Sequence, residues 1–266
     1  MGNVKEEEIA KDLNGNVILG LDISTSTIGI SIGAYIHDEL KILEITHLKF
    51  SQGKAFKGED APFLKGDVFK DAISKYKDYN ITKIVIEEPL LSSNNVFTVG
   101  SLLRFNGLLS QIVYEVFNVV PEYISSYDAR KFAFPELSTI RKHNKKGEEY
   151  PINKIRQSLK KNDVVVFGSF PFDVDKKEIL WGLIYDMFPD IEWAYNEKTG
   201  ELKKENYDAS DSLVCILGYV NKFYHGDSES IVSDIKEIRT KEGLLIEYVN
   251  NFCGRKLEHS MLLTES

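Results

Sequence analysis

The chain has 266 residues, 42% hydrophobic and 28% charged, and its 33 basic and 41 acidic residues give a net charge of −8. That length carries one large or two small globular domains with a substantial core. The acidic balance excludes general polyanion binding by the whole surface but leaves room for a local basic groove. Cys215 and Cys253 are the only cysteines, which excludes a disulfide framework and zinc-ligand spacing, and the five scattered histidines form no metal motif. No apolar run is expected to span a bilayer, the N-terminus has no signal-peptide pattern, and Glu6 stands where a myristoylated Gly2 would want Ser or Thr. The expectation is a protein of a reducing, cytoplasmic compartment that is not secreted and binds no membrane.

Residues 1–16 are polar, with Glu6-Glu7-Glu8, and are read as an N-terminal arm. Three strands in meander are expected next, at 17–24, 27–36 and 41–50. Asp22 puts a charge into the first apolar run, and the second strand carries small residues at Gly29, Ser31, Gly33 and Ala34. A buried carboxylate is costly unless something pairs with it. Residues 51–66 read as a loop and 67–79 as a helix capped by Asp67, with Val68, Ala72, Ile73 and Tyr76 as its apolar stripe. Ile84-Val85-Ile86 is a short buried strand ending in Glu87-Glu88-Pro89, the place where α/β sheets put their chemistry. Asn94-Asn95 open a long helix over 96–117, followed by a strand at 119–125 and a short helix at 127–134 bearing Arg130 and Lys131.

Composition changes at 138–161, the one basic segment, with Arg141, Lys142, Lys145 and Lys146 toward its start. A Phe-rich stretch (Phe167, Phe170, Phe172), read as core, precedes a helix at 175–188 and a linker at 189–206. Tyr207-Asp208-Ala209-Ser210-Asp211 then starts a helix with two acids on one face, three residues apart. A further helix is expected over 231–248, making 226–266 a C-terminal helical extension and tail.

Asp22, Glu87, Asp208 and Asp211 thus come from three distant elements, with no histidine or cysteine nearby. Such an all-carboxylate set suits hard cations such as Mg²⁺ or Mn²⁺. Two such ions close together can activate water and stabilise the leaving oxygen of a phosphodiester. Each acid alone has a plainer use: Asp22 as a β-turn cap, Glu87-Glu88 as a solvated strand end, Asp208 as an N-cap with Asp211 favouring the helix dipole.

The order strand–strand–strand–helix–strand–helix–strand–helix, with a late acid-bearing helix, resembles the ribonuclease H-like α/β fold: a mixed central sheet flanked by helices. Within it, Leu19-Gly20-Leu21-Asp22, Val85-Ile86-Glu87, Asn106-Gly107, residues 125–131 and Asp208-Ala209-Ser210-Asp211 resemble the RuvC-type Holliday junction resolvases, and among them the divergent phage members. The resemblance covers residues 17–131 and 175–224. It implies a Mg²⁺- or Mn²⁺-dependent endodeoxyribonuclease with two ions per site, working in a bacterial or phage-infected cell. Asp22, Glu87, Asp208 and Asp211 would be its catalytic metal ligands, and Glu88 an auxiliary one. It implies a homodimer acting on branched DNA, above all four-way junctions, with Arg130, Lys131, Arg141, Lys142, Lys145 and Lys146 on the nucleic acid. The expected organisation is an arm at 1–16, a nuclease domain at 17–225 with a basic insertion near 138–161, and the extension at 226–266. One departure stands out: bacterial members carry an aromatic wedge three residues after the catalytic Glu, where this chain has Leu90, and Phe97 is the substitute in reach.

Two other classes fit part of the sequence. Asp22 followed by Ser-Thr-Ser-Thr also resembles the first phosphate loop of sugar-kinase and actin-like ATPases, but their duplicated second domain with its Asp-Gly loop is not found. A non-catalytic protein that binds branched DNA would have no need of all four acids.

Overall fold

The structure, a computed structural model, describes residues 16–37, 39–50, 56, 58–89, 95–166, 175–224 and 230–264. The expected arm up to residue 15, Leu90 and the Phe-rich stretch at 167–172 lie outside them. In chain order the described residues form β1 (Asn16–Ile23), β2 (Thr27–Ile36), β3 (Glu39–Lys49), α1 (Ala61–Ser74), β4 (Lys83–Glu87), α2 (Val96–Phe117) and β5 (Glu122–Ile124). Then follow α3 (Ser126–Ala133), β6 (Ser138–Ile140), α4 (Ile152–Lys161), β7 (Val164–Val166), α5 (Lys176–Met187), α6 (Glu205–Tyr224), β8 (Ile231–Arg239), β9 (Leu244–Phe252) and β10 (Arg255–Leu263). They divide into two units: Met1–Ser126 with Lys177–Leu217, and Tyr127–Lys176 with Gly218–Ser266.

The first unit is built on a five-stranded sheet of order β3-β2-β1-β4-β5. β1, β2 and β3 run antiparallel as a meander, while β4 and β5 lie parallel to β1. This mixed sheet flanked by helices is the ribonuclease H-like α/β fold. Its central strands explain their own sequences. Val17 to Leu21 and nearly all of β2 are buried, as a sheet covered on both faces requires, whereas edge strand β3 is only partly buried. One face packs Phe69 and Ile73 of α1 and Phe105, Leu109 and Val113 of α2 against strand side chains including Leu19, Leu21, Ile84 and Ile86.

Two expectations are corrected here. The first helix begins at Ala61, not 67. Asp60 precedes it and Pro62 sits in its first turn, where a fixed φ favours helix and the missing N–H costs nothing. Gly66, read as loop, lies inside this helix, where an added Cβ would come 3.0 Å from Ile112 of α2. The second correction concerns membranes: α2 is long and apolar enough to cross one by length and composition. Its inner face nevertheless belongs to the sheet core, and outward-facing Glu115 pairs with Lys70 of α1 at 3.1 Å. Asn95 caps this helix as expected, accepting hydrogen bonds from the N–H groups of Phe97 and Thr98.

The second unit joins what the sequence reading kept apart. The basic segment supplies Ile140, Ile155 and Leu159, and the C-terminal region supplies Leu244, Ile246, Tyr248, Met261 and Leu263, to one core. The two segments, distant in sequence, thus bury their apolar side chains against each other. Tyr248 ties them further: its hydroxyl bonds Thr139 Oγ1 and accepts from the Ile140 N–H. The expected helix over 231–248 is a correction. Residues 231–263 form an antiparallel meander, β8-β9-β10. A bulge between Ser233 and Lys236, with Asp234 at φ 53°, breaks the strand's alternation and puts Ile231 and Ile238 on one face despite their odd separation. Cys253 (φ 50°) and Gly254 (φ 68°) close the last hairpin, both left-handed as a two-residue turn of this kind demands.

Candidate metal centre

The site belongs to the first unit and starts from β1. Asp22 pairs with Gly29 across the β1–β2 ladder, and Leu21 beside it pairs with Ile86, so Asp22 and Glu87 occupy neighbouring ends of parallel strands. The β1–β2 turn is closed by Ser24. Its hydroxyl donates to the Thr27 carbonyl at 2.7 Å and accepts from the Thr27 N–H at 2.9 Å. The Ser24 hydroxyl is therefore engaged in closing the hairpin.

The other two acids arrive on α6, which lies against β1 and β2 at backbone contact. An added Cβ at Gly29 would sit 1.9 Å from the Asp208 carbonyl oxygen, and one at Gly20 would sit 2.4 Å from the Ser212 carbonyl oxygen. Ser212 Oγ reaches Ser31 Oγ at 3.1 Å. Small residues on both sides thus let the helix come close enough for its first two turns to meet Asp22. One carboxylate oxygen each from Asp22, Asp208 and Asp211 lie within 4.8 Å of one another. The helix starts at Glu205, so Asp208 is inside it and is not its N-cap. Asp211 is buried, its side chain 6% exposed.

Electrostatics agree with the crowding. Burial pushes the Asp22 carboxyl well above the usual carboxylate range, and the charges of Glu87, Asp211 and Asp208 push it further. Lys177, in the first turn of α5, answers them: its Nζ lies 3.0 Å from Asp208 Oδ1 and 3.3 Å from Asp211 Oδ2. Burial alone would lower the Lys177 pKa, but Asp211, Asp208 and Asp22 outweigh it and raise it. Near the start of α6, Glu205 pairs with Lys49 of β3. His47, two residues before that lysine, is held below its ordinary pKa by burial, against the opposing pull of Glu205 and Asp208.

Of the four acids singled out in sequence, three converge within ligand reach, and Glu87 stands on the next strand, close enough to act on Asp22. Glu88 is exposed, and its N–H donates to the Ile124 carbonyl. The candidate nucleic-acid residues all belong to the second unit. Arg141, Lys145 and Lys146 are exposed, the two lysines at the tip of a turn in which Asn144 Oδ1 accepts the Lys146 N–H. Arg130 is half-buried on α3. Lys142 is paired with Glu149 at 2.8 Å, and Lys131 lies 4.7 Å from the centre of the Phe252 ring, its pKa lowered by burial. Phe97, the candidate wedge, is 88% exposed in the first turn of α2. The residue missed in sequence is Lys177. Lys176-Lys177 opening a helix reads as an ordinary solvated pair, and the only pointer was that clustered carboxylates need a cation.

No protein-family model matches the sequence, and no curated protein matches it. Among solved structures, RuvC of Thermus thermophilus superposes with a TM-score of 0.43 at 12% identity, over 77% of this chain and 93% of the other. The yeast mitochondrial Holliday junction resolvase Ydc2 gives 0.41 at 11% identity, over 80% and 82%. A Ppx/GppA phosphatase of Aquifex aeolicus gives 0.34 at 12% identity, over 78% and 92%.

Proposed function

We propose that this protein is a metal-dependent, structure-selective DNA endonuclease that resolves four-way junctions by paired symmetric nicks. The observation that carries the reading is the convergence of Asp22, Asp208 and Asp211 within 4.8 Å, with Glu87 beside them. All donors are carboxylate oxygens, and opposite ligands on one hard cation stand about 4–5 Å apart, so the set fits Mg²⁺ or Mn²⁺. That a lysine ammonium already lies among these oxygens supports a site built for positive charge. Asp22 and Glu87 would hold ions from the sheet, Asp208 and Asp211 from the helix. Two divalent ions bound there would supply an activated water and neutralise the departing oxygen.

The chain's own residues position this chemistry. The buried backbone contact between α6 and the sheet fixes two acids against the third, so the carboxylates need little reorganisation when a phosphodiester arrives. Arg141, Lys145 and Lys146 would bind phosphates, and exposed Phe97 would stack on a base at an opened junction. Products would carry 5′-phosphate and 3′-hydroxyl ends. Two symmetric nicks call for a two-fold homodimer. The test is incubation with linear, flapped and four-way DNA in Mg²⁺, Mn²⁺ or EDTA. Cleavage of the four-way junction only with metal is expected. Equal cleavage in EDTA refutes the metal mechanism, equal cleavage of linear duplex removes the junction selectivity, and metal-independent binding without cleavage leaves a scaffold.

A further inference from the structure

We propose that Lys177 is a resident counter-ion of the carboxylate cluster, occupying in the metal-free protein the charge position that a divalent cation must take over. The inference rests on the metal-site reading above and adds a competitor to it. The side chain reaches two acids at once, 3.0 Å from Asp208 and 3.3 Å from Asp211. Asp211 is buried, and Asp22 beside it is half-buried and faced by like charges. Lys177 itself is half-exposed, but taking away a cation that faces the buried Asp211 carboxylate is destabilising. A cation entering among Asp22, Asp208 and Asp211 meets the ammonium in the same space, and like charges that close repel. Lys177 therefore steadies the metal-free fold and weakens the metal's hold, so that metal binding and retreat of this side chain are one event. A flexible four-carbon stem on the first turn of a helix can make that movement without disturbing the fold.

The experiment compares wild type with Lys177→Met and Lys177→Arg, measuring Mn²⁺ affinity by electron paramagnetic resonance and melting temperature in EDTA. Lys177→Met is expected to melt lower in EDTA and to bind Mn²⁺ about tenfold more tightly or better, the gain that removing a competitor of roughly 1.4 kcal/mol gives. Lys177→Arg should stay close to wild type in both. If Lys177→Met does not fold in EDTA, Asp208→Asn is compared with Asp208→Asn/Lys177→Gln, where the charge balance is kept and the affinity gain should persist. Mn²⁺ binding by wild type with an unchanged constant in Lys177→Met, or in Asp208→Asn/Lys177→Gln against Asp208→Asn, overturns the counter-ion role alone. Absence of Mn²⁺ binding in wild type and Lys177→Met alike overturns the metal site and this inference with it.

Discussion

Gly29→Ala is the sharpest probe of how the site is built. Asp208 meets Asp22 only because α6 rests on β2 with no side chain between them. A methyl group at position 29 would lie 1.9 Å from the Asp208 carbonyl oxygen and 2.5 Å from its carbon, both backbone atoms that no rotamer change can remove. To restore an ordinary contact of 3.4 Å, the helix start must retreat by about 1.5 Å. Overpacking of this sort costs about 1–3 kcal/mol and sometimes more. With backbone on one side and a central strand on the other, a cost of about 3 kcal/mol is expected. At about 2–4 °C per kcal/mol for a chain of this size, the melting temperature should fall by about 6–12 °C. The same retreat draws Asp208 away from Asp22, so the metal-induced rise in melting temperature should shrink as well. Gly33→Ala on the same strand is the control. There the new methyl meets the end of the Leu40 side chain at 2.8 Å, which can turn aside, so the expected cost is below about 1 kcal/mol. Scanning calorimetry with EDTA and with Mn²⁺ reads both effects. A Gly29→Ala protein that melts with wild type and keeps the full metal shift would refute the claim that this contact sets the site.

The pH dependence follows from Asp22, whose folded pKa is raised by burial and by neighbouring acids. The folded state binds that proton more tightly, so its contribution is present below about pH 4 and lost as pH rises through the folded value. In EDTA the melting temperature should therefore decline with pH more steeply for wild type than for Asp22→Asn, and parallel curves would contradict the electrostatics. DNA binding should report the exposed basic side chains. Arg141→Gln/Lys145→Gln/Lys146→Gln should flatten the slope of log affinity against log salt by about 2.7 if all three touch phosphates, whereas Lys142→Gln, removing a lysine already paired with Glu149, should leave it nearly unchanged. A triple variant with the wild-type slope would reduce that turn to a solvated one. Asn106 on α2 is 2% exposed and its side-chain amide has no hydrogen-bond partner among the described residues. Asn106→Leu should accordingly raise the denaturation free energy by about 1–3 kcal/mol in urea, and a loss would mean that the amide serves an unrecognised partner.

The first unit was legible in sequence because its signals are local and agree. Val17 to Leu21 and Ile84 to Ile86 are runs that only doubly covered strands tolerate, and Asn95 announces its helix with a cap. Asp22, Asp208 and Asp211 could be grouped because a charge amid buried residues demands compensation wherever it occurs. Lys177 was hidden because a lysine at a helix start is unremarkable until the acids it meets are known, and those lie 31 and 34 residues further along the chain. The second unit misled for a different reason. The isoleucines of β8 lack a strand's alternation because a bulge around Asp234 interrupts it, and only the alternation of Leu244, Ile246 and Tyr248 with the Cys253-Gly254 turn betrays strands. The core shared by the basic segment and the last 30-odd residues is a long-range feature that no local pattern reveals.

On the proposed reading, the placement of the acids along the chain decides when a nuclease site could first assemble. Asp22 and Glu87 leave the ribosome early, but Asp208 and Asp211 follow only after more than a hundred further residues. A nascent chain, or a product truncated anywhere before α6, holds half of the carboxylates and presents a sheet face with its covering helix missing. Such a fragment would lack two of the proposed metal ligands and the helix that rests on β1 and β2. If the proposed reading holds, cutting would begin only once α6 has been made and packed, and a chain ending before it would be inert.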